Sequence, residues 1–253
     1  MKQSASSQID QHNREIYLNR AAWNLKPTLR RSYREFYRSI KDELDNDIPG
    51  VIVEIGSGMG NIKEVIPHCI TTDLFPNPWI EKVESIYSLS FQPDSISNLI
   101  LFDVWHHLEY PANALQEASR VLATGGKLIL MEPSMSLLGK FIYGRFHHEP
   151  LAFNQRINSS VADMSLPESN RYFAAQSSAH RVFICREIPD LLDGWQIQKI
   201  RRLCSFRYLG SGGFIGPKLY PDFAYSIMAC FDKFLGLLPS VTSARTMIVL
   251  KKI

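Results

Sequence analysis

Between residues 51 and 133 the chain alternates short apolar runs with helical stretches, and this rhythm constrains its fold more than any other feature. VIVEI (51–55), CITTDLF (69–75), NLILFDV (98–104) and KLILMEP (127–133) each read as a strand. NLILFDV is almost continuously apolar, as expected of a strand covered on both faces. A short helical stretch ending near Pro67 follows the first run, and residues 85–91 hold a weak strand or a loop. Residues 111–122 have helical periodicity through Ala114, Leu115, Ala118, Val121 and Leu122, with Gly125-Gly126 as the stop. Strands separated by helices at this interval predict an α/β fold with a parallel sheet and right-handed crossovers.

The flanks are less regular. Residues 1–13 are polar and are expected to fray. Leu29, Tyr33, Phe36, Tyr37, Ile40 and Leu44 recur at spacings of three and four, which predicts a helix with one buried face over 28–44. Beyond 133, residues 134–180 are mixed, 186–194 suit a helix, and WQIQKIRRLCSF (195–206) suits a strand. The glycine-rich turn GSGG (210–213) leads to an aromatic helix over 221–238, and RTMIVLKK (245–252) reads as a final strand.

Composition limits the class. The 253 residues are 45% hydrophobic and 21% charged, which disfavours disorder, collagen-like repeats and a disulfide scaffold. Cys69, Cys185, Cys204 and Cys230 stand far apart and read as reduced, mostly buried thiols of a cytoplasmic protein. MKQSASSQID has no apolar signal-peptide core, and the best candidate for a span, 223–241, carries Asp232 and Lys233 at its centre. A soluble protein is expected, with peripheral membrane contact left open. The net charge of +3 does not announce nucleic acid.

Glu54, Gly56, Ser57, Gly58 and Gly60 fall in the run EIGSGMG, directly after one strand and before a helical stretch. Glycines let a backbone turn tightly and approach a ligand with no Cβ in the way. The acid at the strand end suits a cationic ligand group. The spacing GxGxG, with Asn61 next, departs from the dinucleotide fingerprint GxGxxG and speaks against NAD. Asp73 ends the second strand, where a carboxylate can accept hydrogen bonds from ribose hydroxyls.

These residues resemble the first motif of class I S-adenosylmethionine-dependent methyltransferases. FDVWHHLEYPANALQEASRVLATGGKLILMEP (102–133) is similar to the matching unit of the small-molecule, ubiquinone-biosynthesis-like group, and the likeness covers about residues 50–133 well. The resemblance implies a Rossmann-like, seven-stranded, mostly parallel sheet with helices on both faces. It also implies an N-terminal helical extension (1–49) and a methyltransferase domain (50–253), with substrate-side insertions at 134–194 and 207–243 forming a helical and aromatic cover. By resemblance S-adenosylmethionine is the cofactor. Glu54, Gly56 and Gly58 would surround its methionine part, Asp73 its ribose and Leu74 its adenine, with Ser57, Gly60 and Asp103 completing that side. Ser85-Ile86 stands where members often carry an Asp-Ala pair near adenine, and Thr124 replaces a common proline.

Methyl transfer needs alignment and a nucleophile able to lose its proton. His106 and His107 follow the strand at 98–104, beyond which ligands bind in open α/β sheets, with Asp103 and Glu132 nearby. Either histidine can serve as a general base; the alternative is a hydrogen-bonded structural histidine. His147-His148-Glu149 lacks an HxxxH or HxxE partner, so no metal is expected. Arg30, Arg34, Arg38 and Lys41 form a basic helix side that reads as a solvated face or a phosphate-facing stripe. The aromatics and glycines of 206–234 read as either a lid over an apolar pocket or a helix packed on the sheet edge. The expected activity is transfer of a methyl group, to oxygen by preference, on a small-molecule, lipid-linked or sugar acceptor. A non-catalytic cofactor- or partner-binding subunit is the alternative, and the oligomeric state is not set by the sequence.

Overall fold

The computed structural model describes residues 5–147, 149–161 and 173–253. His148 and part of the expected 134–194 insertion therefore lie outside the described residues. Seven strands form one sheet: β1 (Val51–Ile55), β2 (Ile70–Asp73), β3 (Lys82–Val83), β4 (Ile96–Phe102), β5 (Leu122–Pro133), β6 (Trp195–Cys204) and β7 (Ser243–Lys252). Their order is β3-β2-β1-β4-β5-β7-β6, with only β7 antiparallel to its neighbours. The described helices used below are α1 (Ala5–Leu25), α2 (Pro27–Lys41), α3 (Pro111–Val121), α4 (Leu137–Phe146), α5 (Phe206–Gly210), α6 (Tyr225–Leu235) and α7 (Pro239–Thr242).

Period-two alternation divides the central strands between two cores. Ile100, Phe102, Ile129, Met131, Met247 and Val249 meet Leu29, Tyr33, Phe36, Tyr37 and Ile40 of α2 on one face. Leu99, Leu101, Leu128, Leu130, Ile248 and Leu250 meet Ala114, Leu115, Ala118 and Val121 of α3 on the other. Both faces of β4 are thus covered, which explains its apolar run Leu99–Phe102. Opposite the buried face of α2, Arg38 and Lys41 are exposed and Arg34 pairs with Glu64 at 2.6 Å.

Several segments differ from the sequence reading. Residues 5–13 belong to helix α1, which docks through Ile16 and Trp23 instead of fraying. The third strand is the two-residue β3. Residues 85–91 form a turn because Glu84 accepts from Ser90 and Glu117 Oε1 accepts from Leu89 N–H. Only Pro189–Leu192 makes a single 3-10 turn within 186–194, and the aromatic helix is shortened to α6 after a turn at Asp222–Ala224. All four cysteines are free thiols, but Cys185 and Cys230 are exposed, against the expected burial. The glycine-rich turn is tied down: Lys26 Nζ donates to the carbonyls of Gly213 and Gly216 at 2.7 and 2.6 Å. Tyr33, Phe36, Tyr208 and Phe214 pack there as an aromatic cluster, Tyr33 lying stacked on Phe102 at 5.2 Å.

Candidate active site

The parallel strands end along one edge, and the sequence-predicted residues gather there. The loop after β1 needs glycine for different reasons at different points. At Gly56 (φ +71°) a Cβ would lie 2.4 Å from Val104 Cγ2, and at Gly60 (φ +66°) 2.5 Å from the Trp79 carbonyl oxygen. At Gly58 (φ +53°) a Cβ would meet no protein atom within 4 Å, so this glycine borders open space. Ser57 is spent on the frame: its Oγ donates to the Glu54 carbonyl at 3.2 Å and accepts from Thr72 N–H at 3.2 Å, stitching the loop to β2.

Glu54, at the end of β1, is 1% exposed, and neither carboxylate oxygen has a hydrogen-bond partner. Burial raises its carboxyl to about 7; the nearby Ser57 and Tyr37 hydroxyls oppose the rise and Asp73 adds to it. An unpartnered buried acid is costly, and a cationic group is its natural complement. Asp73 is held in place by backbone donors. Gly58 N–H donates to Oδ2 at 2.8 Å and Leu74 N–H to Oδ1 at 2.7 Å. The Leu74 side chain is half-buried. His12 of α1, absent from the sequence-based set, brings Nε2 within 3.2 Å of Asp73 Oδ1 and its ring edge-on to Phe75. Ser85 makes only a local turn, its Oγ accepting from Tyr87 N–H at 3.4 Å.

Asp103 follows β4 with φ +57° and pairs with Arg245 at the start of β7. Arg245 is 3% exposed, also donates to Tyr208 Oη at 2.8 Å, and lies over the Tyr208 ring at 4.8 Å. Nothing in the local sequence marks Arg245, whose partner is 142 residues away.

The two histidines differ. His106 is buried, with Nδ1 2.6 Å from Glu132 Oε2 and Nε2 3.5 Å from Glu149 Oε2. Burial alone would lower its basicity, but the charge and hydrogen bond of Glu132, with Glu149 and Asp103, carry it up to about 10. Glu132 is itself fixed by Val104 and Trp105 N–H donors at 3.0 and 2.8 Å. His107 is pushed down by burial and by the neighbouring His106 charge. Its Nδ1 lies 2.9 Å from the Phe173 carbonyl, which assigns the proton to Nδ1 and aims Nε2 at Glu149 Oε1, 3.6 Å away. Glu149 comes from the segment after α4, so the fold supplies the partner that the HHE run lacked locally.

A 3-2-1-4-5-7-6 sheet with β7 reversed, a glycine loop after β1 and an acid closing β2 define a class I methyltransferase framework. Residues 53–130 match a family described as a methyltransferase domain. The cofactor is S-adenosylmethionine. No curated protein matches the chain. Among solved structures, a methyltransferase from Thermotoga maritima described as a possible histamine N-methyltransferase is 16% identical, with 97% of this chain and 96% of that one covered and a TM-score of 0.50. A methyltransferase from Archaeoglobus fulgidus is 12% identical over 88% and 94%, with a TM-score of 0.51. A geranyl diphosphate methyltransferase is 13% identical over 87% and 85%, with a TM-score of 0.50. These likenesses concern the fold.

The residues present fit the cofactor. Glu54 has two orphaned oxygens for an ammonium group, Gly58 borders space that no side chain fills, and Asp73 offers a carboxylate preset by two N–H donors.

Proposed function

We propose that the chain methylates an oxygen of a lipid-linked acceptor presented at a membrane surface. When bound, S-adenosylmethionine supplies a methyl group on a cationic sulfur that a nucleophile takes by in-line displacement. In this reading Glu54 receives the cofactor's ammonium group, Gly56, Gly58 and Gly60 leave room for its backbone-close approach, and Asp73 takes the ribose hydroxyls beside Leu74. Ser57 and Asp103 act as frame, Asp103 by anchoring Arg245 at the same edge. His106, His107, Glu132 and Glu149 form the acceptor side, where a hydroxyl can bind and shed its proton.

One observation carries the choice of acceptor. The cover elements leave a broad apolar surface open, including Leu137 and Phe141 on α4, Phe223, Ile227 and Phe234 in and before α6, and Leu238 before α7. These elements are neighbours on β6: α6 and α7 both pack on that strand, α4 packs on α7, and α6 packs on α5, whose Tyr208 reaches Arg245. Lys140, Arg145 and Lys233 lie among them, whereas the acid of α6, Asp232, is buried against Phe206 N–H and Arg207. Large apolar patches rimmed by cations suit an anionic lipid surface. No described helix is long and apolar enough to cross a membrane, so the contact is peripheral.

Co-sedimentation with vesicles containing anionic lipid, beside a screen of lipid-linked and soluble hydroxyl acceptors by S-adenosylhomocysteine release, tests this. Vesicle binding that is lost in the triple change Phe223→Ser, Ile227→Ser, Phe234→Ser, together with turnover on lipid-linked acceptors, is expected. Turnover confined to soluble acceptors, with no vesicle binding, contradicts it.

A further inference from the structure

The geometry points to a divalent transition-metal site, of the zinc type, built from His106 Nε2, His107 Nε2 and the Glu149 carboxylate. These ligand atoms lie within 4.8 Å of one another. The Glu149 oxygens stand 3.5 Å from one imidazole nitrogen and 3.6 Å from the other. Metal–ligand bonds of about 2.0–2.1 Å at a tetrahedral centre separate neighbouring donors by about 3.3 Å, so the two carboxylate–imidazole pairs already approach that spacing and the imidazole pair lies within 4.8 Å.

The surroundings have the form of an outer coordination shell. Metal-bound histidines ordinarily give their second nitrogen to a carboxylate or a backbone carbonyl, which fixes ring and tautomer. Both arrangements are present: His106 Nδ1 on Glu132 at 2.6 Å and His107 Nδ1 on the Phe173 carbonyl at 2.9 Å. Glu149 is held in turn by Gln176 Nε2, with His147 Nδ1 at 3.6 Å. Glu149 brings a buried carboxylate up to the two imidazoles. Two imidazoles and one carboxylate favour zinc over magnesium or calcium, which prefer all-oxygen shells. Among the described residues three protein donors leave a fourth position, as at catalytic zinc sites.

The ion's role deepens the reading above and rests on it. An acceptor hydroxyl entering the fourth position displaces a metal-bound water, its O–H bond breaks, the proton passes to bulk water, and the oxygen stays on the ion as an alkoxide. The local run HHE at 147–149 does not reveal the site, because its completing histidines lie about 40 residues upstream on another loop.

Full-length protein stripped with chelator and titrated with Co²⁺ provides the test, because four- or five-coordinate cobalt shows strong visible d–d bands. One equivalent of bound Co²⁺, displaced by Zn²⁺, is expected, with affinity at least about tenfold weaker in Glu149→Gln and in His107→Asn. S-adenosylhomocysteine binding by both variants and by the stripped protein should persist, which separates loss of the site from misfolding. Absence of those bands in wild type, or variants that bind Co²⁺ as wild type does, overturns the metal site. Bound metal with undiminished turnover after stripping overturns its role at the acceptor. Zinc-restored turnover on soluble acceptors alone leaves the site standing and removes the lipid-linked reading.

Discussion

Replacing Glu54 by Gln should stabilise the ligand-free protein at alkaline pH while weakening its grip on the cofactor. Burial raises the folded carboxyl to about 7 against a reference of 4.5, a rise that the nearby Ser57 and Tyr37 hydroxyls only partly oppose. A carboxyl whose folded pKa is raised contributes its stability fully below the unfolded value. That contribution is lost progressively as pH rises from 4.5 through 7. The displacement corresponds to about 3 kcal/mol, or about 6–12 °C in Tm for a protein of this size. The Gln variant carries no such loss, so its Tm should match wild type near pH 5 and exceed it at pH 8.5. About 3 kcal/mol is the ceiling, because the amide is also left without a partner. Above pH 7 the wild-type carboxylate attracts an ammonium group, and a hydrogen bond to a charged group is worth about 1.5–3 kcal/mol. Affinity for S-adenosylhomocysteine at pH 8.5 should therefore fall about 10- to 100-fold in the variant. Thermal melts across a buffer series, with and without S-adenosylhomocysteine, read both effects. A variant less stable than wild type at pH 8.5, or one that binds the ligand equally well, refutes the reasoning.

Four further changes probe the same edge. Gly58→Val should cost about 1–2 kcal/mol for its left-handed backbone and abolish S-adenosylhomocysteine binding, as seen by calorimetry. Gly60→Ala, whose Cβ would press on the Trp79 carbonyl at 2.5 Å, should lower Tm more than Gly58→Ala, where no atom stands within 4 Å. Asp73→Asn should weaken ligand binding at least about tenfold and lower Tm as well, since its single amide oxygen can accept from only one of the two donors Gly58 and Leu74 and its NH2 faces the other. Asp103→Ala should destabilise the fold by about 3 kcal/mol in urea titrations, because Arg245 is left buried without its carboxylate.

What could be read in advance follows from how local each signal is. The core strands announce themselves because both faces of β4 and β5 are buried, which forces continuous apolar runs. The Tyr33–Ile40 face of α2 repeats at helical spacing for the same reason. Helix α1 gave no such signal: it docks through little more than Ile16 and Trp23, too sparse for a periodic stripe. Strand β3 is only two residues long, and its two side chains are exposed. In the site, Glu54, the glycines and Asp73 were legible because one strand–loop–strand unit holds them all. Arg245, Tyr208, His12 and Glu149 were not assigned to it, because each reaches the edge from a distant segment and its meaning lies in its partner. The difference between His106 and His107 was likewise hidden, since it depends on Glu132 behind one ring and the Phe173 carbonyl behind the other.

The central claim is that the edge built by Glu54, the loop from Gly56 to Gly60 and Asp73 is a cradle for S-adenosylmethionine. Calorimetric titration of S-adenosylhomocysteine into the intact wild-type protein at pH 8 tests it most directly. Saturable binding of one ligand per chain is the predicted result, and absence of binding at millimolar ligand contradicts it.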